Sequence, residues 1–329
     1  MKHCLPKLAA KFLLIILSLL LITNTYSQHL MFGEKVKWEV GVNFGPTFFL
    51  GDLGGNHGKG TTFIKDVNLE LTKFMKGAFI TVYPADWIGL RVAAQYTYVK
   101  GEDYIINTDG VNELWRKQRN LDFRSNMYEA YAAIEILPTM LFKKYSDYEP
   151  FIKPYGFFGV GIFHFDPEGS IVDANGARTW HKLHPLKTEG QGMKEYPGKK
   201  TYNLTQINIP LGFGIKVAVS NRVSTSVEIL YRKTFTDYID DVSTTYIDPD
   251  LFDVYLNAQD ALIARKIHDK TMGIVTPGIN RYEPGTQRGN AKNMDAYFST
   301  LLKIGIKLGP GGSAEDQRRA RQTKCPHFY

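Results

Sequence analysis

The chain has 329 residues, of which 43% are hydrophobic, 13% aromatic and 22% charged. That apolar content excludes a disordered chain, and the composition also excludes collagen-like and coiled-coil classes. A mean hydropathy of −0.24 argues against a polytopic helical membrane protein, yet leaves open a membrane β-barrel, whose inner face is polar.

Residues 1–27 have the layout of a secretory signal peptide. Lys2, Lys7 and Lys11 form a basic start, Phe12 to Ile22 is an almost unbroken apolar run, and Thr25 and Ser27 place small residues before Gln28. An uncleaved N-terminal anchor is the alternative, although the apolar run is short for a membrane span. Cys4 precedes that run and so cannot be a lipid-bearing cysteine at the cleavage point. Cleavage removes three lysines and no acid, lowering the formal net charge from +7 to +4. So mild and scattered a charge does not point to nucleic acid. It also leaves Cys325 as the one remaining thiol, which cannot pair within its own chain.

From there the sequence repeats a pattern of about ten residues alternating apolar and polar, the length of a tilted membrane strand. Val36, Trp38, Val40, Val42 and Phe44 share one face of a first strand, with Lys37, Glu39 and Asn43 opposite. A second runs from Phe74 to Tyr83. The third sets Ile88, Leu90, Val92, Ala94, Tyr96 and Tyr98 against Arg91 and Gln95. The fourth sets Tyr128, Ala130, Ala132, Ile134 and Ile136 against Glu129, Tyr131 and Glu135. A fifth, from Phe151 to Phe165, is apolar on both faces and fixes its register least firmly. The sixth places Ile207 to Val217 opposite Asn208 and Lys216, and the seventh places Val223 to Tyr231 opposite Ser226, Glu228 and Arg232. The eighth sets Phe298 to Leu308 against Ser299, Lys303 and Lys307.

The connections alternate in length. Short segments at 84–87, 143–149 and 220–222 join strands two to three, four to five and six to seven; the loops near 51–73, 100–122, 166–203 and 237–294 are long. Short periplasmic turns and long outer loops are the outer-membrane pattern, and an even strand count returns both termini to the periplasm. The expected fold is therefore all-β: an eight-stranded antiparallel transmembrane barrel over 28–309, followed by a basic tail at 310–329. Lys37, Glu39, Arg91, Glu129, Glu135, Lys216, Glu228, Arg232 and Lys303 fall on the polar face. In so narrow a barrel they should pair and fill the lumen rather than line a pore. Trp38, Trp87, Tyr96 and Tyr98 are expected to form an interfacial girdle. A secreted soluble barrel or sandwich would instead turn the apolar face inward, and the charges alone do not exclude it.

Candidate chemistry is sparse. Residues 55–61 superficially resemble a phosphate loop, but Lys59 is followed by Gly60 and no strand-to-helix context surrounds it. His181 and His184 stand three apart without a Cys or His companion that metal would need. Asp237, Asp240 and Asp241 follow strand seven. They read first as a hydrogen-bonded turn, with calcium ligation or a rim pairing with His164 for hydrolysis as alternatives. Residues 257–269 read as a short helix packed in the last loop. After Gly309 to Gly312 the tail carries Arg318, Arg319, Arg321 and Lys324, then Cys325, Phe328 and Tyr329. A tether to a periplasmic partner and a solvated end are both open readings of it.

Residues 153–167 (KPYGFFGVGIFHFDP), the run 186–192 (LKTEGQG), residues 209–216 (IPLGFGIK) and the run 228–246 (EILYRKTFTDYIDDVSTTY) resemble a Bacteroidetes outer-membrane barrel family, the one that includes PorG of the type IX secretion system. The ending Lys324-Cys325-Pro326 is similar as well. The resemblance implies a non-enzymatic part of the secretion and gliding machinery, without cofactor, associated with a periplasmic ring of PorK-like and PorN-like proteins. It implies no catalytic residue. An odd thiol in an oxidising compartment adds the expectation that Cys325 links covalently to that ring. The alternatives are a barrel hydrolase and a small channel.

Overall fold

The computed structural model describes residues 36–53, 71–106, 111–141, 150–220, 222–271 and 282–308. The signal segment and the basic tail, with Arg318, Arg319, Arg321, Lys324, Cys325, Phe328 and Tyr329, lie outside the described residues.

Period-two sequences became strands. In chain order they are β1 (Lys37–Leu50), β2 (Lys73–Ala85), β3 (Ile88–Glu102), β4 (Asp122–Ile136), β5 (Ile152–Val172), β6 (Arg178–Lys182), β7 (Thr205–Ala218), β8 (Val223–Thr234) and β9 (Ala296–Leu308). Every pairing is antiparallel between neighbours, and β1 also pairs with β9, setting Trp38 against Leu308 and Leu50 against Ala296. Eight strands thus close into a ring, and β6 adds only a hairpin to the far end of β5. Closure satisfies each strand's backbone on both sides, which lipid requires.

Most strands run past their expected ends toward the long-loop side. β5 reaches 21 residues, because beyond Phe165 it pairs with β6 from Glu168 to Val172. Residues 166–203, expected as a loop, therefore contain a strand. The loops on this side are also structured: helix α1 (Val111–Arg119), α3 (Leu251–Tyr255) and α4 (Ala258–His268) lie there, whereas the short α2 (Pro138–Leu141) lies at the opposite end. The helix expected at 257–269 is α4. Asn257 caps it, its Oδ1 accepting the Asp260 N–H at 2.9 Å, and Ala261, Ala264 and Ile267 form its buried face.

The loops carry a core of their own. Leu53, Phe123, Phe165, Leu186, Met193, Ile239, Val242, Ile247 and Phe252 are all buried in one cluster above the barrel mouth. A second, smaller cluster around Met75, Phe79, Tyr155, Phe157, Leu230 and Leu301 lies inside the barrel.

Candidate functional site

The barrel's polarity is reversed relative to a water-soluble protein. Val42 is 50% exposed, Val92 53%, Phe213 62% and Ile306 52%, while Arg91, Arg232, Glu135 and Lys303 are at most 1% exposed. The apolar outer band from Trp38 to Phe48 on β1 spans ten residue steps, about 25 Å once a strand rise of about 3.4 Å and a tilt of about 40° are combined. Trp38 and Trp87 stand exposed at the short-turn end, whereas the Tyr96 and Tyr128 rings meet at a tilt, 5.2 Å apart, toward the other. Aromatics at both margins are the arrangement that interfaces select.

Inside, alternate residues of all eight strands converge. Arg91 on β3 pairs with Glu135 on β4 and, at 2.8 Å, with Glu228 across the lumen on β8. Lys216 meets Glu39 at 2.7 Å and Glu135 at 3.8 Å; Lys303 meets Glu228 at 3.2 Å and Glu135 at 3.7 Å. Higher in the barrel, Arg232 Nε donates to Glu129 at 3.1 Å, and Asn208 donates to the other oxygen of Glu129 at 2.7 Å. Tyr83 donates between Glu39 and Glu135, and Tyr155 donates to Glu228 at 2.7 Å. Aromatic faces complete the packing, with Lys303 4.2 Å from the Phe79 ring and Arg91 4.6 Å from that of Phe157. Ionised groups this far from water persist only when paired and hydrogen-bonded.

One residue of the expected lumen set lies elsewhere. Lys37 is exposed at the short-turn rim, where its Nζ pairs with Asp86 at 2.7 Å. The first inward position of β1 lies below the packed interior, so its side chain reaches solvent. Conversely, Gln95, Tyr131, Lys153, Tyr155 and Asn208 are buried inward positions, and Tyr83 a half-buried one, outside the expected set of charge pairs, although their alternation along the strands marks the same face.

The turn expected at Asp237, Asp240 and Asp241 is buried in the cap. Asp240 accepts the N–H groups of Val242 at 3.0 Å and of Asp52 and Leu53 at 3.1 Å each, tying the end of β1 to the segment after β8. Asp241, at a φ of 60°, accepts the hydroxyls of Thr188 and Tyr202. Burial pushes its carboxyl up to about 6. The His164 ring lies on the exposed outer face of β5, bonded to Thr205 at 3.0 Å, and so does not share the buried setting of these aspartates. His181 bonds Thr179, and His184 bonds the Tyr202 carbonyl. Among the described residues, no three Asp, Glu, His or Cys side chains are grouped so as to hold a metal ion.

Two ion pairs brace the cap. Arg119 grips Asp103 through both carboxylate oxygens at 2.7 and 2.9 Å, and also donates to the Asp52 carbonyl at 2.9 Å. Arg288 pairs with Glu189 at 3.0 Å, and Glu189 in turn accepts the N–H groups of Ser243 and Thr244. A cleft of about 500 Å³ opens beside α4, where Arg178, Lys266 and Lys270 face Glu102, Asp122 and Asp269.

No family model and no curated protein matches the chain. Solved structures do. Ail of Yersinia pestis matches 83% of this chain and 99% of its own, at 7% identity and a TM-score of 0.34. Neisserial surface protein A matches 84% and 100%, at 11% identity and 0.32; a major outer membrane protein of Thermus thermophilus matches 84% and 100%, at 11% identity and 0.33. The eight-stranded closed barrel stands on its own strand register.

Proposed function

We propose that the chain is an integral outer-membrane barrel that conducts no solute and acts as a structural anchor for an envelope protein complex. The observation that carries this reading is the inverted polarity: an apolar exterior of bilayer height around a lumen occupied by paired charges. A conducting barrel needs an open aqueous path, whereas here Arg91, Glu135, Glu228, Lys216 and Lys303 occupy the bore. In planar bilayers the purified barrel is expected to give no steady openings; sustained conductance would overturn this part of the reading.

The resemblance in sequence supports the type IX secretion machinery as the complex, with both termini periplasmic and the ring of PorK-like and PorN-like proteins as partner. Affinity purification from native membranes should recover ring components with the barrel, and a deletion strain should lose export of substrates while keeping an intact envelope. Recovery of the barrel alone, with normal secretion in the deletion strain, removes the proposal. The basic tail is the proposed contact, with Cys325 as a covalent link. On non-reducing gels a higher-mass species should vanish in Cys325→Ser.

A further inference from the structure

The cap buries more acid than it neutralises. Asp52, Asp103, Glu189, Asp237, Asp240, Asp241 and Asp295 are each no more than 9% exposed, and the arginines buried with them are Arg119 and Arg288. Those two are spent on Asp103 and Glu189. Among the described residues, Asp52, Asp237, Asp240 and Asp295 form no ion pair. They come from three segments at the barrel mouth: the end of β1, the chain after β8, and the residue before β9.

These carboxyl groups lie near enough for the charge of one to act on the others, and part of the set has no donor. Asp237 is 4% exposed and neither of its oxygens completes a hydrogen bond, although Ser243 lies nearby. Asp295 is 1% exposed; its Oδ2 accepts the Ile239 N–H at 2.8 Å, while its Oδ1 is unpartnered. A buried acceptor without a donor is costly, and two facing carboxylates cannot both keep their charge out of water.

We propose that Asp52, Asp237, Asp240 and Asp295 bind protons as a shared cluster at neutral pH, and that these protons fasten the loop cap to the barrel rim. A protonated carboxyl supplies the O–H donor that the unpartnered oxygens lack, and removes the repulsion that would part the three segments. Burial, then the Asp240 and Asp52 charges, push Asp237 up to about 9. Burial and the same neighbours hold Asp240 and Asp295 well above the usual range. Asp52 rises less, because Arg119 opposes its burial most strongly, with Arg116 on the same helix adding to it. Glu189 faces the cluster from the 184–193 segment and adds negative charge, and Tyr238, raised by burial, stays neutral beside Asp237.

The sign follows. An unfolded Asp releases its proton near pH 4, so between about 4 and about 9 the closed cap holds protons that the opened one does not. Grip is therefore fullest at the acid end of this window and falls as pH rises, opening becoming roughly tenfold easier per pH unit for each retained proton. His268, held down to about 4 by burial and Arg288, acts oppositely but only below about pH 6.5.

The test uses the full chain in lipid vesicles, read by the infrared carbonyl band of protonated carboxyl groups and by protease cleavage within the cap. At pH 7 the band should be present, and it should fade toward pH 10 as cleavage accelerates. Asp237→Asn should remove part of the band and flatten the rise in cleavage. Asp295→Asn should do the same, independently of whether the first variant folds. Absence of the band at pH 7, or a band that neither substitution changes, overturns the proposal. So does calcium chloride at constant pH 7, if it abolishes the band while protecting the cap, since the cluster would then be a cation site.

Discussion

The lumen sets Glu39, Glu129, Glu135 and Glu228 against Arg91, Arg232, Lys216, Lys303 and Lys153, whereas the cap directly above buries seven acids with two arginines. Both regions are dry and both are polar, yet they reach neutrality differently. In the lumen each of the four glutamates meets a cation from another strand, so the charge balance is built into the strands themselves. In the cap, charge balance depends on what the medium supplies. The barrel is accordingly the permanent part of the molecule and the cap the conditional one.

That contrast can be broken most sharply at Arg91, which bridges Glu135 and Glu228. Arg91→Met leaves both carboxylates buried short of a partner and should cost about 3–5 kcal/mol in urea unfolding from lipid vesicles. A neutral result would mean that the lumen network does not hold the barrel. Glu135→Gln strips a partner shared by Arg91, Lys216 and Lys303 and should cost about 2–4 kcal/mol. Asp237→Asn should be neutral or stabilising at pH 8, because it removes an acid from an acidic site; equal losses would erase the distinction.

A smaller effect lies on the acid side of the cap. His268 Nδ1–H donates to the Thr188 carbonyl at 2.7 Å, and its ring packs edge-on to Tyr246 and Phe252. Its imidazole is kept neutral to about 4, whereas an unfolded His gains a proton near 6.5. The contribution is therefore complete above about pH 6.5 and is lost as pH falls toward 4, visible as faster hydrogen exchange in α4. The smallest change expected is Asn257→Ala, which removes the cap of α4 and should cost about 1 kcal/mol, again read locally by exchange.

The eight barrel strands were legible because a lipid-facing strand has to alternate: Val36 to Phe44 and Ile207 to Val217 show their faces in any window. β5 illustrates the limit. Both of its faces are apolar, since Tyr155, Phe157 and Phe163 pack inward among aromatics while Phe158, Val160 and Ile162 face outward. β6 was not legible at all, because Arg178 to Lys182 is short and mostly polar and none of its residues is buried, so no alternation is imposed. The cap core was hidden for a related reason: Leu183, Met193 and Ile239 come from irregular segments without a period, and Phe252 from a helix of five residues, too short to show one. Of the aspartate cluster, 237–241 stood out as a run, but Asp52 and Asp295 join it only once β1 and β9 are paired.

The seam between β1 and β9 has a kinetic consequence. It unites the two extremes of the barrel sequence, so its contacts are among the most distant along the chain and are the last that a growing polypeptide can supply. Until the final strand arrives, β1 presents an open edge that neither lipid nor a neighbouring segment can satisfy. Insertion should therefore wait on synthesis of the C-terminal strand, and a chain stopped before Ala296 has no route to a sealed cylinder.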